Sequence, residues 1–152
     1  MKGFEIRSAI WEDAEAILYI ERLCFSDPWS MDIFLETISN PQYINLVVTQ
    51  KVTRQIVGYI CLAVIADEGH IDNVLVSPKY RREGIGEGLL KAAMRRADER
   101  GACDYTLEVR VGNTAARMLY EKAGFTCEGI RRNYYGSPTE DAAIYWKYKE
   151  SL

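Results

Sequence analysis

The sequence has very little of what a metal site or a disulfide framework requires. Its 152 residues include a single histidine, His70, and four cysteines that lie far apart and form no CxxC pair. A zinc site of the usual Cys/His kind cannot be assembled from these residues, and we expect no metal. Each cysteine stands among apolar neighbours, which predicts buried, reduced thiols of a cytoplasmic protein.

Long apolar runs are also missing. The longest, residues 56–66, is too short to cross a bilayer. Glu5 and Arg7 interrupt the N-terminal residues, so these do not form the apolar segment of a secretory signal. We therefore expect a protein that acts in the cytoplasm without a membrane partner.

The charge balance excludes another class of partner. Nineteen Lys and Arg residues stand against 22 Asp and Glu residues, which gives a net charge of −3. This balance argues against direct nucleic-acid binding by the whole surface. Hydrophobic residues make up 48% and charged residues 27%, as in ordinary globular proteins. Because no repeat or linker interrupts the chain, we expect one domain over residues 1–152. The sequence makes no prediction of the oligomeric state.

Hydrophobic periodicity predicts a mixed α/β fold with the order β-α-α-β-β-β-α-β-α-β-β. Short connectors between the strands favour a mostly antiparallel sheet, whereas the strand–helix–strand segment over residues 69–111 predicts one parallel crossover pair. Helices flank the sheet, and Ser30 is placed to cap the second. The predicted strands cover residues 4–7, 43–49, 55–66, 69–76 and 103–111, with two more after Gly124, and the helices cover 11–25, 31–38, 85–101 and 113–123.

A glycine-rich turn joins a strand to the third helix. Gly84, Gly86 and Gly88 lie within five residues, directly after Arg81 and Arg82. Backbone N–H groups at a helix start, beside arginines, suit a phosphate or pyrophosphate. The Walker pattern is absent, and the third glycine of the Rossmann pattern is missing. A plain turn with solvated arginines is the alternative interpretation.

Residues 74–86 resemble the acetyl-CoA signature of the GNAT N-acetyltransferases. In that signature a strand ending in Val-x-Pro is followed by the pattern [RQ]-x-x-G-x-[GA], which Arg81, Gly84 and Gly86 match here. The resemblance implies the GNAT fold and acetyl-CoA as co-substrate. It implies that backbone N–H groups of residues 82–87 hold the pyrophosphate and that the preceding strand pairs with the pantetheine. The implied cofactor-binding residues are Val74, Leu75, Val76, Arg81, Arg82, Glu83, Gly84, Ile85, Gly86, Glu87 and Asn113.

Three further motifs narrow the resemblance. The Pro-Trp-Ser loop at residues 28–30, the Leu-Tyr-x-x-x-Gly-Phe run at 119–125 and the Arg-Arg-Asn-Tyr-Tyr run at 131–135 look like the bacterial GNAT subfamily that acetylates the N-terminal alanine of ribosomal protein S18. The implied acceptor is a protein N-terminus, that of S18 first, attacked directly by its amine. The alternatives are acetylation of a small-molecule amine and a non-catalytic acyl-CoA-binding module.

Glu108 is the candidate general base. Alternation in its strand places Glu108 with Thr106 and Arg110 on one face, opposite the apolar residues. By residue pattern alone it could be a solvated carboxylate paired with Arg110. The resemblance places the catalytic base at this position, acting directly or through water.

Tyr120 and Asn113 belong to the following helix. Helical spacing alone makes Tyr120 an ordinary core residue. The resemblance makes its hydroxyl the general acid that protonates the departing CoA thiolate. Asn113 stands at the helix start, where it can cap the helix and also touch CoA.

The remaining candidates concern the acceptor. Family resemblance places Tyr134 in the wall of the peptide cleft, opposite Phe25 and Trp29, which could equally pack two helices together. His70 fits a hydrogen-bonded structural role better than that of a base, and Asp72 is a weaker candidate for orienting the amine.

Overall fold

The computed structural model describes residues 2–149, which fold into a seven-stranded sheet with helices on both faces. The predicted order of elements is confirmed, and the predicted helix from Trp11 begins as a 3-10 turn. The strands are β1 (Phe4–Ser8), β2 (Tyr43–Gln50), β3 (Ile56–Ile65), β4 (Glu68–Val76), β5 (Asp104–Arg110), β6 (Thr126–Tyr135) and β7 (Glu140–Lys147), and the helices are α1 (Ala14–Cys24), α2 (Met31–Ser39), α3 (Ile85–Glu99) and α4 (Thr114–Lys122).

The strands lie in the order β1-β2-β3-β4-β5-β7-β6. All neighbours are antiparallel except β4 and β5, which run parallel and are joined by α3. The expected antiparallel meander and the single parallel crossover pair are therefore both confirmed. A parallel connection requires a long crossover, and the amphipathic α3 supplies it.

Apolar residues of the sheet alternate between two cores. On one face, Ile60 and Leu62 of β3 pack with Leu89 and Ala93 of α3. On the other face, Tyr59 of β3 packs with residues of α1 and α2. Residues two apart on a strand share a face, and the central strands β2, β3 and β4 contribute buried residues to both cores. Among residues 2–149, no helix is long and apolar enough to cross a membrane.

Local signals at two helix starts behave as predicted. The Ser30 hydroxyl accepts a hydrogen bond from the Ile33 N–H at 3.2 Å and caps α2. The Asn113 side chain accepts one from the Ala116 N–H at 3.2 Å and caps α4. Each cap satisfies one of the N–H groups that a helix start leaves without a partner.

The prediction that all four cysteines are buried is wrong for three of them. Cys61 in β3 is buried, whereas Cys24, Cys103 and Cys127 are only half-buried. Cys24 ends α1, Cys103 precedes β5, and Cys127 lies on the edge strand β6. Apolar neighbours in the sequence do not bury a side chain at the end of an element or on a sheet edge.

A β-bulge interrupts β4 at Asp72. Ile71 pairs with Leu62 of β3 and Asn73 pairs with Cys61, so Asp72 is an extra residue in β4. A bulge shifts the alternation of side chains by one position. Next to the bulge, Asp72 hydrogen-bonds His70, whereas Asn73 hydrogen-bonds Glu21 of α1.

Candidate active site

The site lies where β4 and β5 separate. The two strands pair from Glu68 opposite Asp104 to Ile71 opposite Leu107, and pairing stops there. Beyond this point β4 pairs only with β3, and β5 only with β7. The splayed strand that the family resemblance implies for residues 74–76 is therefore present, with backbone groups that face the gap.

A cavity of about 730 Å³ lies between β4, the glycine turn and α4. We call it the turn cavity. Its walls are formed by the three predicted strand residues, the glycine turn with its arginines, and the start of α4. The predicted cofactor residues that line it are Val74, Leu75, Val76, Arg81, Arg82, Gly84, Gly86, Glu87 and Asn113.

The backbone of the glycine turn lines this cavity. Arg82 and Gly84 both have a positive φ, of 67° and 78°, and Gly84 is the N-cap of α3. A Cβ on Gly84 would meet no atom within 4 Å, so the space beside it is open. The first N–H groups of α3 have no partner within the helix, and the positive end of the helix dipole lies here. This arrangement can hold an anion.

Two predicted cofactor residues do not line the turn cavity. Ile85 is 1% exposed, because its side chain packs in the α3 core, which leaves only its backbone for a ligand. Glu83 is exposed on the turn. The Glu87 side chain lies at the cavity edge and forms ion pairs with Lys91 at 3.0 Å and Lys122 at 3.3 Å.

A second cavity of about 460 Å³ lies on the other side of the gap. We call it the acidic cavity, because four carboxylates contribute to its walls while Arg110 is the cationic side chain among its lining residues. The four are Glu21 of α1, Asp27, Asp72 of β4 and Glu108 of β5. Both cavities are lined by Asn113 and Tyr120, so the two spaces meet at α4.

Glu108 is held by the single histidine. The Nε2 atom of His70 lies 2.6 Å from Glu108 Oε2, and its Nδ1 atom hydrogen-bonds Asp72. These hydrogen bonds, first to Asp72 and then to Glu108, raise the pKa of His70 to about 10. An imidazolium at neutral pH has no lone pair with which to accept a proton, which speaks against His70 as the base. Arg110, the alternative partner of Glu108, instead pairs with Glu140 at 3.1 Å.

Tyr120 belongs to the core and to the cavity at once. Its ring packs against Phe125 and Tyr145, and the residue is 7% exposed. No protein group within residues 2–149 hydrogen-bonds its hydroxyl, and the residue lines both cavities. Burial raises the pKa of Tyr120, so the hydroxyl keeps its proton at neutral pH.

The predicted acceptor wall is only partly as expected. Phe25 and Trp29 line the acidic cavity, and Trp29 also packs edge-on against Tyr59, so wall and packing roles coincide. On the opposite side Tyr135 lines the cavity. Tyr134, the residue expected there, is 41% exposed and lies under the Arg131 guanidinium.

Sequence reasoning missed Glu21, Cys24 and Tyr135. Glu21 carried a signal, because it falls on the buried face of α1 with Ala14, Ile17 and Leu18, where a carboxylate requires an explanation. Cys24 lines both cavities and hydrogen-bonds the Val76 carbonyl, a position that no motif indicated.

Comparison with known proteins gives a consistent result. A Bacillus subtilis (strain 168) protein is 35% identical over 141 residues, 93% of each chain, and is provisionally named a ribosomal protein bS18-alanine N-acetyltransferase. The Escherichia coli (strain K12) enzyme of that name is 36% identical over 129 residues, 85% of this chain and 84% of its own.

The fold comparison agrees. The crystal structure of the Escherichia coli ribosomal-protein-S18-alanine N-acetyltransferase superimposes with a TM-score of 0.87 at 33% identity, covering 98% of this chain and 96% of that one. Residues 14–125 match the model of the Acetyltransferase (GNAT) family. With the splayed strands and the glycine turn, these matches show that the chain belongs to the GNAT family of acetyltransferases.

Proposed function

We propose that this protein transfers an acetyl group from acetyl-CoA to the N-terminal α-amino group of a protein, most specifically the N-terminal alanine of ribosomal protein bS18. The observation that carries the proposal is the meeting of the two cavities at Tyr120, with Glu108 in the wall of the acidic one. The relatives named for this activity support the choice of acceptor. A ribosomal protein as acceptor supports a reaction in the cytoplasm, carried out by a single domain.

The turn cavity fits acetyl-CoA, the acetyl donor of this family. Gly84 leaves room for a pyrophosphate to approach the backbone, while Arg81 and Arg82 supply positive charge. The unpaired part of β4, residues 74–76, offers N–H and C=O groups to the pantetheine amides. When bound, acetyl-CoA supplies the acetyl group as a reactive thioester.

Glu108 acts as the general base. An α-amino group has a pKa of roughly 7.7–8.0, so most of the acceptor is protonated at pH 7 and cannot attack. The His70 imidazolium holds one carboxylate oxygen of Glu108, and within residues 2–149 no donor occupies the other. That oxygen can take the proton of the amine, directly or through a water molecule.

Tyr120 acts as the general acid. Its hydroxyl remains protonated at neutral pH, the residue lines both cavities, and within residues 2–149 no protein partner competes for the proton. It can therefore give that proton to the leaving thiolate. A non-catalytic CoA-binding module would need neither this hydroxyl nor Glu108.

The function is tested by incubating the protein with acetyl-CoA and a synthetic peptide that begins Ala-Arg, the start that the resemblance implies. Intact-mass spectrometry should show one acetyl group, located at the α-amine by fragmentation. The same peptide with a blocked N-terminus is the control and should not react. Acetylation of polyamines or of lysine side chains, with the Ala-Arg peptide untouched, would contradict the proposed acceptor.

Gly84→Val should weaken acetyl-CoA binding, because its side chain fills the space beside the turn. Gly101→Val is the matched control: Gly101 also has a positive φ, of 96°, and open space around it, but it lies outside the turn cavity. Both variants carry similar backbone strain. Calorimetry should show reduced acetyl-CoA affinity for Gly84→Val alone, and equal affinities would remove the pyrophosphate assignment.

Glu108→Gln should preserve the shape of the site, since the Gln carbonyl can still accept the His70 hydrogen bond. Loss of the base should lower kcat by about 10²–10⁴-fold. Acetyl-CoA affinity, measured by calorimetry, should stay near that of the unmodified protein. A rate within about twofold across pH 6–9 would show that Glu108 is not the base that this assignment requires.

Tyr120→Phe keeps the packed ring and removes only the hydroxyl, so kcat should fall while acetyl-CoA affinity is unchanged. Tyr105→Phe is the control, because it removes a hydroxyl that bonds the Met94 carbonyl at 2.9 Å, away from both cavities. The control should lower stability and leave kcat intact. Single-turnover rates test the assignment: an unchanged rate in Tyr120→Phe would show that Tyr120 has only a structural role.

A further inference from the structure

Glu21 is a buried carboxylate that the chemistry described above does not use. It lies in α1, is 1% exposed and contributes to the wall of the acidic cavity. Its Oε1 atom accepts a hydrogen bond from the Trp29 N–H at 3.0 Å, and its Oε2 atom accepts one from the Asn73 amide at 2.5 Å. No Lys, Arg or His within residues 2–149 forms an ion pair with it.

A buried carboxylate without a counter-ion is costly, and burial raises the pKa of Glu21. The packing of α1 gives no reason for it, since the neighbouring positions on the same face are apolar and an apolar side chain would fill the space. What the carboxylate adds is two hydrogen bonds that reach two different parts of the chain. We therefore look for its role in the two parts of the chain that these hydrogen bonds connect.

The first bond fixes the acceptor segment, which we define as residues 25–30. The Phe25 N–H continues the hydrogen bonding of α1, and Ser30 begins that of α2. In the described part of the chain, the bond from the Trp29 N–H to Glu21 is the only hydrogen bond that reaches residues 26–29. Phe25 and Trp29 line the acidic cavity, so this bond sets the position of one wall.

The second bond reaches β4. Asn73 follows the bulge at Asp72 and lies on the part of β4 that no longer pairs with β5. Its amide donates to Glu21 Oε2. One carboxylate thus joins the acceptor segment directly to the splayed strand.

We propose that Glu21 is a positioning residue for the acceptor: it ties the acceptor segment to β4 and so fixes Phe25 and Trp29 in the wall of the acidic cavity, which leaves room for a peptide N-terminus beside Glu108. The proposal rests on the proposed function, because it assumes that the acceptor peptide occupies the acidic cavity. It assigns Glu21 to acceptor binding, and neither to the chemical step nor to acetyl-CoA.

An exchange of partners tests the proposal. Asn73→Asp places a second carboxylate against Glu21 and should break the connection. In the double variant Glu21→Gln/Asn73→Asp, the amide N–H of the new Gln can donate to the new Asp, and its carbonyl can still accept from the Trp29 N–H. The connection is therefore restored, with donor and acceptor exchanged in one of the two hydrogen bonds. Glu15→Gln, an exposed change on the same helix, is the matched control.

Asn73→Asp should raise the peptide KM by about tenfold or more, the cost of losing a hydrogen bond to a buried charged group. kcat at saturating peptide and the acetyl-CoA affinity of the free enzyme should change by less than about threefold. The double variant should return the peptide KM to within about threefold of the unmodified protein, and Glu15→Gln should not change it. Should Asn73→Asp fail to fold, a folded double variant with normal KM still supports the proposal.

Three results would overturn it: an unchanged peptide KM in Asn73→Asp, a double variant without rescue, or a parallel loss of acetyl-CoA affinity. Failure of the unmodified protein to acetylate the peptide is a separate result that refutes the proposed function. Hydrogen exchange of residues 25–30 then decides the role of Glu21 alone. Faster exchange in Asn73→Asp, reversed in the double variant, supports it, and equal exchange in all variants refutes it.

Discussion

The break in the hydrogen-bond ladder between β4 and β5 is the feature on which the rest of the site depends. Up to Ile71 and Leu107 the two strands pair in register, and α3 connects them. After these residues the backbone groups that face each other across the gap lack strand partners, and unpaired buried N–H and C=O groups are costly. An extended ligand with amide groups can satisfy them, as a third strand would. The gap also lies beside both cavities, which share Val74 of β4 among their lining residues.

The modest net charge of the chain conceals a local separation of charge. Arg81 and Arg82 flank the turn cavity, while carboxylates dominate the acidic cavity. His70 binds two of those carboxylates, and its pKa of about 10 is above the ordinary 6.5. The stabilisation from this contact is therefore complete below about pH 6.5 and is lost as pH rises through about 10. Near neutral pH the imidazolium persists, and Glu108 keeps its orientation.

Local patterns predicted the order of the elements, the crossover pair and both helix caps, because each depends on residues that are neighbours in the chain. The bulge at Asp72 could not be predicted, since it arises from pairing with β3. At this bulge Asp72 hydrogen-bonds His70 of the same strand, and Asn73 hydrogen-bonds Glu21 of α1. The far wall of the acidic cavity is a similar case: Tyr135 lines it, and Tyr134 packs edge-on against Tyr135 with ring centroids 4.9 Å apart, a contact that strand alternation does not predict.

The two cavities differ in how the chain encodes them. The turn cavity draws mostly on one continuous stretch, residues 74–87, and offers backbone groups that any sequence with the right glycines can present. The acidic cavity draws on side chains from residues 21–33, 71–74, 108–120 and 135, which only the tertiary fold brings together. Substitutions in its walls can therefore change the acidic cavity while the glycine turn stays intact. The Glu21 carboxylate joins two of these separate segments through its bonds to Trp29 and Asn73, so a single buried side chain holds together walls that are far apart in the sequence.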